Sequence, residues 1–147
     1  MNTKNFLVVS KDALSGDLSL LLVKEGHRVK ISFSDRYSQD VYRGFLHKVN
    51  NWKKHIDWAD IIIFDDENFG SLAEKLRRKG KHVIGGSVYT DRLEMDRDFG
   101  QKELENQGVP VLPRWNFDDY KKAIRFIHKN PGRYVFKPTG NKQSGNK

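Results

Sequence analysis

From the first residues onward, the spacing of apolar positions is in turn that of a strand and that of a helix. The run FLVVS at 6–10 has the length and continuity of a buried strand. Three leucines then share one face of a helix that Ser15 or Asp17 can cap and that ends at Gly26. Residues 27–33 alternate apolar and polar side chains, which is typical of a second strand. The pattern predicts one βαβ unit.

The same alternation continues over the next sixty residues. Apolar positions at three- and four-residue steps predict an amphipathic helix over 38–56. ADIIIFDD at 59–66 has the uninterrupted apolar core of a central parallel strand. A short helix at 71–80 and a fourth strand at 81–87 follow. We therefore predict an α/β domain over 1–90, with an open, mostly parallel sheet and helices on both faces.

The pattern changes in the second part of the chain, 91–147. It predicts a charged helix over 91–108, an extended proline-marked stretch over 109–117 and a helix over 118–130. Tyr134 to Lys137 is a predicted strand that runs into a polar, glycine-containing loop.

Composition narrows the class of protein. The chain has no cysteine, which excludes disulfides and thiolate chemistry, and no apolar run approaches the length of a membrane span. The N-terminal sequence MNTKNFLVVS lacks the features of a signal peptide. These observations predict a cytoplasmic protein without a membrane partner.

The net charge of +8 lies entirely in the second half. Residues 1–73 carry 10 basic and 10 acidic side chains, whereas residues 74–147 carry 17 and 9. Such an excess favours anionic partners such as nucleotides, phosphorylated metabolites or nucleic acid, and a solvated basic surface is the simpler alternative.

Ligands of open parallel sheets bind beyond the carboxyl ends of the strands, so the loops at those ends are the first candidate sites. The first loop lacks a dinucleotide fingerprint, but Ser10, Ser15 and Gly16 could hold an anion through backbone N–H groups or form only a tight turn. The acids at 65–67 could bind a metal or a cationic group, or belong to a phosphorylation receiver, although the residues after Gly86 do not continue that pattern.

Two further features are candidates for binding. The GGS sequence at 85–87 allows close backbone approach, or simply forms a turn that requires positive φ. Lys137 lies on a predicted strand just before a glycine-containing loop, where its ammonium could bind a phosphate group. Alternatively, it is a solvent-facing lysine of an edge strand.

Taken in order, five short motifs resemble the N-terminal part of the glycinamide ribonucleotide synthetase (phosphoribosylamine-glycine ligase) family of the ATP-grasp superfamily. They are Asp65-Asp66-Glu67, Gly85-Gly86-Ser87, Leu93-Glu94-Met95-Asp96-Arg97, Gly108-Val109-Pro110 and Val135-Phe136-Lys137-Pro138-Thr139-Gly140. The resemblance implies a Rossmann-like preATP-grasp domain at 1–90 and the start of an ATP-grasp domain at 91–147.

The resemblance also implies roles for individual residues. Lys137, Arg97 and Gly140 would bind ATP, with Gly140 to Gly145 beginning a glycine-rich flap over the phosphates. The substrate-binding residues would be Glu67, Asn68, Gly85, Gly86 and Ser87. The family joins glycine to phosphoribosylamine with ATP and Mg²⁺, and no metal ligand is assigned within this sequence.

In that family the strands that hold adenine and the acidic Mg²⁺ ligands correspond to positions beyond 147. The resemblance therefore implies that residues 1–147 form an incomplete enzyme, inactive alone and without a tightly bound cofactor. The alternative hypothesis is a non-enzymatic basic α/β module that binds nucleic acid or another anionic ligand. No helix-turn-helix, RRM or zinc pattern supports nucleic-acid binding, and Trp115 is better interpreted as a packing residue.

Overall fold

Four parallel strands form the sheet of this protein in a computed structural model that describes residues 2–137. The chain divides into two compact units, Met1–Asp91 and Arg92–Lys147. The elements are β1 (Asn5–Ser10), α1 (Gly16–Lys24), β2 (Arg28–Phe33), β3 (Ile61–Phe64), α2 (Gly70–Arg78), β4 (His82–Ile84), α3 (Val88–Met95), α4 (Arg97–Asn106) and α5 (Tyr120–Lys129).

The sheet has the strand order β2-β1-β3-β4, and every neighbouring pair is parallel. β1 and β3 are central, which explains why their side chains are apolar on both faces: Leu7, Val8 and Ile62 are fully buried. The predicted parallel strands and the predicted α/β class are confirmed.

Helices cover both faces of the sheet, as predicted. One buried cluster lies against α1 and consists of Phe6, Val8, Val29, Ile31, Phe33, Leu46 and Ile63, with Leu20 and Leu22 packed on it. The opposite cluster lies against α2 and consists of Leu7, Val9, Ala59, Ile62, Phe64, Ala73 and Leu76. Burial of these apolar faces is what holds the first unit together.

The predicted helix over 38–56 is wrong. Between positions 36 and 56 the helical elements are two short 3₁₀ turns, Arg36–Ser38 and Trp52–His55, joined by irregular backbone. Its apolar residues serve both faces of the sheet, because Leu46 packs in the cluster on the α1 side whereas Trp52 packs on the α2 side. A single straight helix could not reach both faces, so the amphipathic spacing misled the prediction.

The same segment passes along the outer edge of β2. The N–H of Ile31 donates to the carbonyl of His47 over 3.0 Å, and the N–H of Val49 donates to the carbonyl of Ile31 over 2.8 Å. A parallel bridge between Ile31 and Lys48 results. Residues 47–49 therefore cover the middle of this edge strand.

The second unit contains helices but no buried side chain among those described in α4 and α5. The helix predicted over 91–108 is interrupted, because the Asp96 side chain accepts a hydrogen bond from the Phe99 N–H over 3.0 Å and thereby caps a new helix, α4. Aromatic rings form its main contacts: Trp115 lies 5.2 Å from Phe126 and 5.8 Å from Tyr134, centroid to centroid.

The strand predicted at Tyr134 to Lys137 is also wrong. These residues are in neither helix nor strand, and the side chains of Val135 and Phe136 are exposed. A strand requires a neighbour to pair its backbone groups, and no strand pairs with this segment within residues 2–137. The predicted Gly140 to Gly145 flap lies outside the described residues.

None of the helices described in residues 2–137 has the length and hydropathy needed to cross a bilayer.

Candidate functional site

The loops that follow β1, β3 and β4 lie at one edge of the sheet, because parallel strands end on the same side. The chain leaves β1 to form β2 on one flank and later returns to form β3 on the other. The carboxyl ends of β1 and β3 thus border the topological switch point, where open α/β sheets bind their ligands. We call the residues 10–16, 65–70 and 85–87 at this position the carboxyl-edge crevice.

Two carboxylates of the β3 loop hold the β1 loop in place. The backbone N–H of Lys11 donates to Asp66 Oδ2, and the N–H of Ser15 donates to Asp65 Oδ2, each over 2.8 Å. These two carboxylates therefore satisfy N–H groups that an anion would otherwise use. Their engagement argues against the phosphate-holding hypothesis for the first loop.

The acids at 65–67 do not form a metal site. No group of three His, Asp or Glu side chains within residues 2–137 is arranged to hold a metal ion. Asp65 and Asp66 are engaged by backbone donors, and the third acid, Glu67, forms an ion pair with Lys11. The described residues do not fit Mg²⁺ here, and we assign it no ligand.

The ion pair between Lys11 and Glu67 is the charged contact of the crevice. Lys11 Nζ donates to Glu67 Oε1 over 3.1 Å, and Glu67 is the less exposed partner. The backbone N–H of Glu67, followed by the Lys11 ammonium, lowers the pKa of the Glu67 carboxyl. Burial raises the pKa of the adjacent Asp66 carboxyl, although the Lys11 N–H opposes this shift. The hydrogen bond to Glu67 raises the pKa of Lys11.

We expect the two neighbouring acids to titrate on opposite sides of the range usual for carboxyl groups. The Glu67 contribution to the free energy of unfolding is complete above its unfolded pKa and is lost as the pH falls through its lowered folded pKa. Asp66 has the opposite effect on the free energy of unfolding. Because its pKa is higher in the folded state, the free energy of unfolding falls as the pH rises from its unfolded pKa to its folded pKa. Carboxyl ¹³C NMR measures both titrations.

Lys11→Gln provides the matched test, since it removes the charge and leaves the backbone N–H donor. In this variant the pKa of Glu67 should rise toward its ordinary value. An unchanged Glu67 titration would show that the ion pair does not form in solution.

Polar atoms without partners and unusual backbone angles cluster at this crevice. Ser10 Oγ and Asp65 Oδ1 are buried with no hydrogen-bond partner among the described residues. Ala13 and Asn68, in the β1 and β3 loops, have φ of 69° and 71°. Buried unpaired groups and left-handed backbone at non-glycine residues both cost free energy, and they occur preferentially at functional sites.

The β4 loop is fixed by the guanidinium of Arg77 on α2. Arg77 Nη2 donates to the Gly85 carbonyl over 2.7 Å and Nη1 donates to the Gly86 carbonyl over 2.9 Å. The carbonyl of Val83 accepts from Nε and Nη2 of the same residue, each over 3.3 Å. One side chain thus sets the path of the backbone from the end of β4 through the GGS sequence.

Close packing between this loop and the start of α2 requires glycine. A Cβ atom at Gly70 would lie 2.2 Å from the backbone carbonyl group of Ser87. The Asp91 carboxylate accepts the Gly70 N–H over 2.7 Å, and Glu74 accepts the Val88 N–H over 2.9 Å. Both close-approach glycines of the sequence prediction, Gly85 and Gly86, therefore belong to a tightly braced turn, and Gly85 has the positive φ of +153° expected of such a turn.

The candidate residues fall into two groups. Glu67, Asn68, Gly85, Gly86 and Ser87 all belong to loops at the carboxyl edge of the first unit. Arg97 and Lys137 belong to the second unit: Arg97 begins α4 with its Nε buried and unpaired among the described residues, and Lys137 is exposed. Gly140 lies outside the described residues.

Sequence reasoning missed two residues that shape the crevice. Lys11 lies in a loop that the topology marked as a candidate, and its position directly after β1 was the available signal. Arg77 lies near the end of α2, among several basic residues, and nothing in its local sequence distinguishes it.

Comparison with known proteins gives a fold relationship. No family model and no curated protein matches the chain. A crystal structure of N5-carboxyaminoimidazole ribonucleotide synthetase from Thermotoga maritima matches 85% of this chain with a TM-score of 0.61 and 17% sequence identity. The chain has the fold of part of that synthetase. It spans 36% of the synthetase's length.

This similarity confirms the predicted Rossmann-like, preATP-grasp fold class. It does not single out the glycinamide ribonucleotide synthetases within that class. An imine reductase from Myxococcus stipitatus (V8 variant, in complex with NAD⁺) matches 74% of this chain and 39% of its own, at 13% identity and a TM-score of 0.44.

Proposed function

We propose that this chain is the N-terminal part of an ATP-dependent carboxylate–amine ligase of the ATP-grasp superfamily, acting in purine nucleotide synthesis. The observation that carries the proposal is the fold match over 85% of the chain to a ribonucleotide synthetase. The five ordered sequence motifs support the same assignment independently of the structure, because they rest on residue identities alone.

The proposed reaction has two steps. A carboxylate oxygen attacks the γ-phosphorus of ATP, which forms an acyl phosphate and releases ADP. The amine substrate then attacks the acyl carbon and displaces inorganic phosphate, which forms the carbon–nitrogen bond. We propose glycine as the carboxylate and phosphoribosylamine as the amine, on the strength of the five motifs.

The charges of the carboxyl-edge crevice suit the amine substrate. Four acids, Asp12, Asp65, Asp66 and Glu67, and a single lysine lie in the crevice, and the backbone N–H groups of Lys11 and Ser15 are already satisfied. A substrate amine can be received by Glu67 in place of the Lys11 ammonium that pairs with it, with Asn68 and the loop of Gly85, Gly86 and Ser87 beside it. This arrangement favours a site for the amine end of a substrate over a site for its phosphate.

The ATP-binding roles fall on the second unit. We propose that Lys137 and Arg97 contact the ATP phosphates and that Gly140 belongs to the loop that covers them. An ammonium and a guanidinium both attract phosphate, but only the guanidinium offers a planar, two-pronged donor.

The test measures ADP formation by the complete gene product with ATP and Mg²⁺. One arm supplies glycine and phosphoribosylamine, and the other supplies the substrates of the structurally similar N5-carboxyaminoimidazole ribonucleotide synthetase. Turnover in the first arm supports the glycine ligase, and turnover in the second arm alone keeps the ligase class but replaces the substrates. Absence of substrate-dependent turnover in both arms, by a folded protein, contradicts the proposal.

Lys137→Met in the complete gene product should weaken ATP binding or turnover by roughly ten- to a hundredfold. A charge-assisted hydrogen bond is typically worth about 1.5 to 3 kcal/mol, and about 1.4 kcal/mol corresponds to a factor of ten. Lys129→Met, at the exposed end of α5, is the control with the same change of side chain. Equal activity of the two variants would show that Lys137 is an ordinary surface lysine.

A further inference from the structure

An open cleft of about 450 Å³ lies at the amino-terminal end of β2. Its lining residues are Val23, His27, Arg28, Val29, Lys30, Phe45, His47 and Trp58. Arg28 is the first residue of β2, whereas the carboxyl-edge crevice begins where the parallel strands end. A strand of this length spans roughly 20 Å, so the cleft is a separate site from the crevice.

Basic side chains line the cleft without acidic neighbours in the lining. Arg28, Lys30, His27 and His47 make up half of the lining residues, and none of the others is a carboxylate. Within residues 2–137, neither Arg28 nor Lys30 forms an ion pair with a carboxylate. This contrasts with the equal numbers of basic and acidic residues over 1–73. The positive charge here is therefore available to an anion.

Two of these donors are held in fixed positions. Lys30 Nζ lies 3.1 Å from His55 Nδ1 and 4.2 Å from the centroid of the Trp58 ring. The N–H of Lys4 donates to His27 Nδ1 over 3.3 Å, so the neutral ring carries its proton on Nε2. Lys30 therefore keeps at most two of its three N–H donors, and His27 keeps its Nε2–H donor, for a ligand.

Aromatic rings lie beside these donors. The Phe45 side chain is 71% exposed, although it lines the cleft, and Trp58 is half-buried. An exposed phenyl ring next to cationic side chains offers a stacking surface to the planar ring of a ligand. Binding pockets for small ligands occupy roughly 300 to 1,000 Å³, which includes this cleft.

We propose that this cleft binds a nucleotide, with the phosphate at Arg28, Lys30 and His27 and the base against Phe45. The site is independent of the proposed ligase chemistry, because it lies in the first unit alone and shares no residue with the carboxyl-edge crevice. The ligand follows from two requirements, an anionic group for the basic side chains and a planar ring for Phe45. A mononucleotide meets both within one cleft.

The experiment titrates the 147-residue chain with AMP and follows backbone amides by ¹H–¹⁵N NMR. We expect shift changes at residues 27–30 and 45–47, with the crevice residues 65–68 and 85–87 unaffected. Arg28→Gln should weaken AMP binding by about tenfold or more, since it removes a charge-assisted contact. Lys75→Gln, at an exposed position on α2, removes the same charge elsewhere and should leave the affinity unchanged.

Phe45→Ala tests the base contact separately. Stacking of a base on an aromatic ring is worth about 1 to 3 kcal/mol, so this variant should weaken AMP binding by about fivefold to a hundredfold and leave binding of inorganic phosphate unchanged. Both Arg28 and Phe45 are exposed, so neither variant removes buried contacts.

Several results would overturn the proposal. They are the absence of AMP binding, shift changes confined to the crevice, equal weakening by Arg28→Gln and Lys75→Gln, and adenosine binding as tightly as AMP. Binding of a single-stranded oligonucleotide at the same residues without AMP binding would replace the mononucleotide with nucleic acid. Failure of the ligase assay would leave this outcome unaffected, because the two experiments use different sites and different readouts.

Discussion

Ile62→Ala is expected to lower the free energy of unfolding of the first unit by about 2 to 5 kcal/mol. Ile62 lies in the central strand β3, is fully buried and packs in the cluster beneath α2. Its removal loses apolar burial and leaves a cavity between two rigid layers that cannot easily close around it. Urea unfolding followed by far-UV circular dichroism measures the change.

Ile84→Ala is the matched control, because Ile84 is also an isoleucine in a strand of the same sheet. Its side chain is 58% exposed at the end of β4. We expect a loss of less than about 1 kcal/mol, which is the range of strand propensities at surface positions. Similar losses in the two variants would contradict the assignment of β3 to the centre of the sheet and β4 to its edge.

Amide exchange is expected to differ by at least about a hundredfold between the two units. All 14 buried hydrophobic side chains among the described residues belong to the first unit. Amides that open only when a buried core unfolds exchange slowly, whereas helices with few buried contacts open at little cost. Hydrogen–deuterium exchange with mass spectrometry should therefore show slow exchange in β1 and β3 and fast exchange in α4 and α5.

The helix α1 is the internal control for this comparison. It is as short as α4 and α5, but Leu20 and Leu22 pack on the buried cluster of the sheet. If α4 and α5 exchange as slowly as α1, the second unit has a stable core of its own despite its exposed side chains, and the predicted difference is wrong.

The strands could be predicted from the sequence because their burial is encoded locally. An uninterrupted apolar run such as Ile61–Phe64 is stable only between two covered faces, and the comparable run in β1 specifies the other central strand. The helix prediction for the segment 38–56 was wrong because the packing of this segment is not encoded locally. Its apolar spacing reflects packing on both sides of the sheet edge, and periodicity alone cannot distinguish that from one helical face.

The location of the candidate site was predictable, but its contacts were not. Parallel topology places the loops after β1 and β3 side by side, so the strand pattern of the sequence is enough to make their residues candidates. The hydrogen bonds from the Lys11 and Ser15 backbone to Asp66 and Asp65 connect residues 55 and 50 positions apart. Such pairings depend on the packed distance between two loops, which no local pattern specifies.

Coverage of β2 by residues 47–49 limits how this sheet can meet another chain. A free edge strand is a template on which a second molecule can add a strand and so begin aggregation. Here the middle of β2 is already paired through Ile31, and the opposite edge is β4, which has only three residues. The irregular segment that breaks the helical pattern thus protects the protein against intermolecular sheet extension.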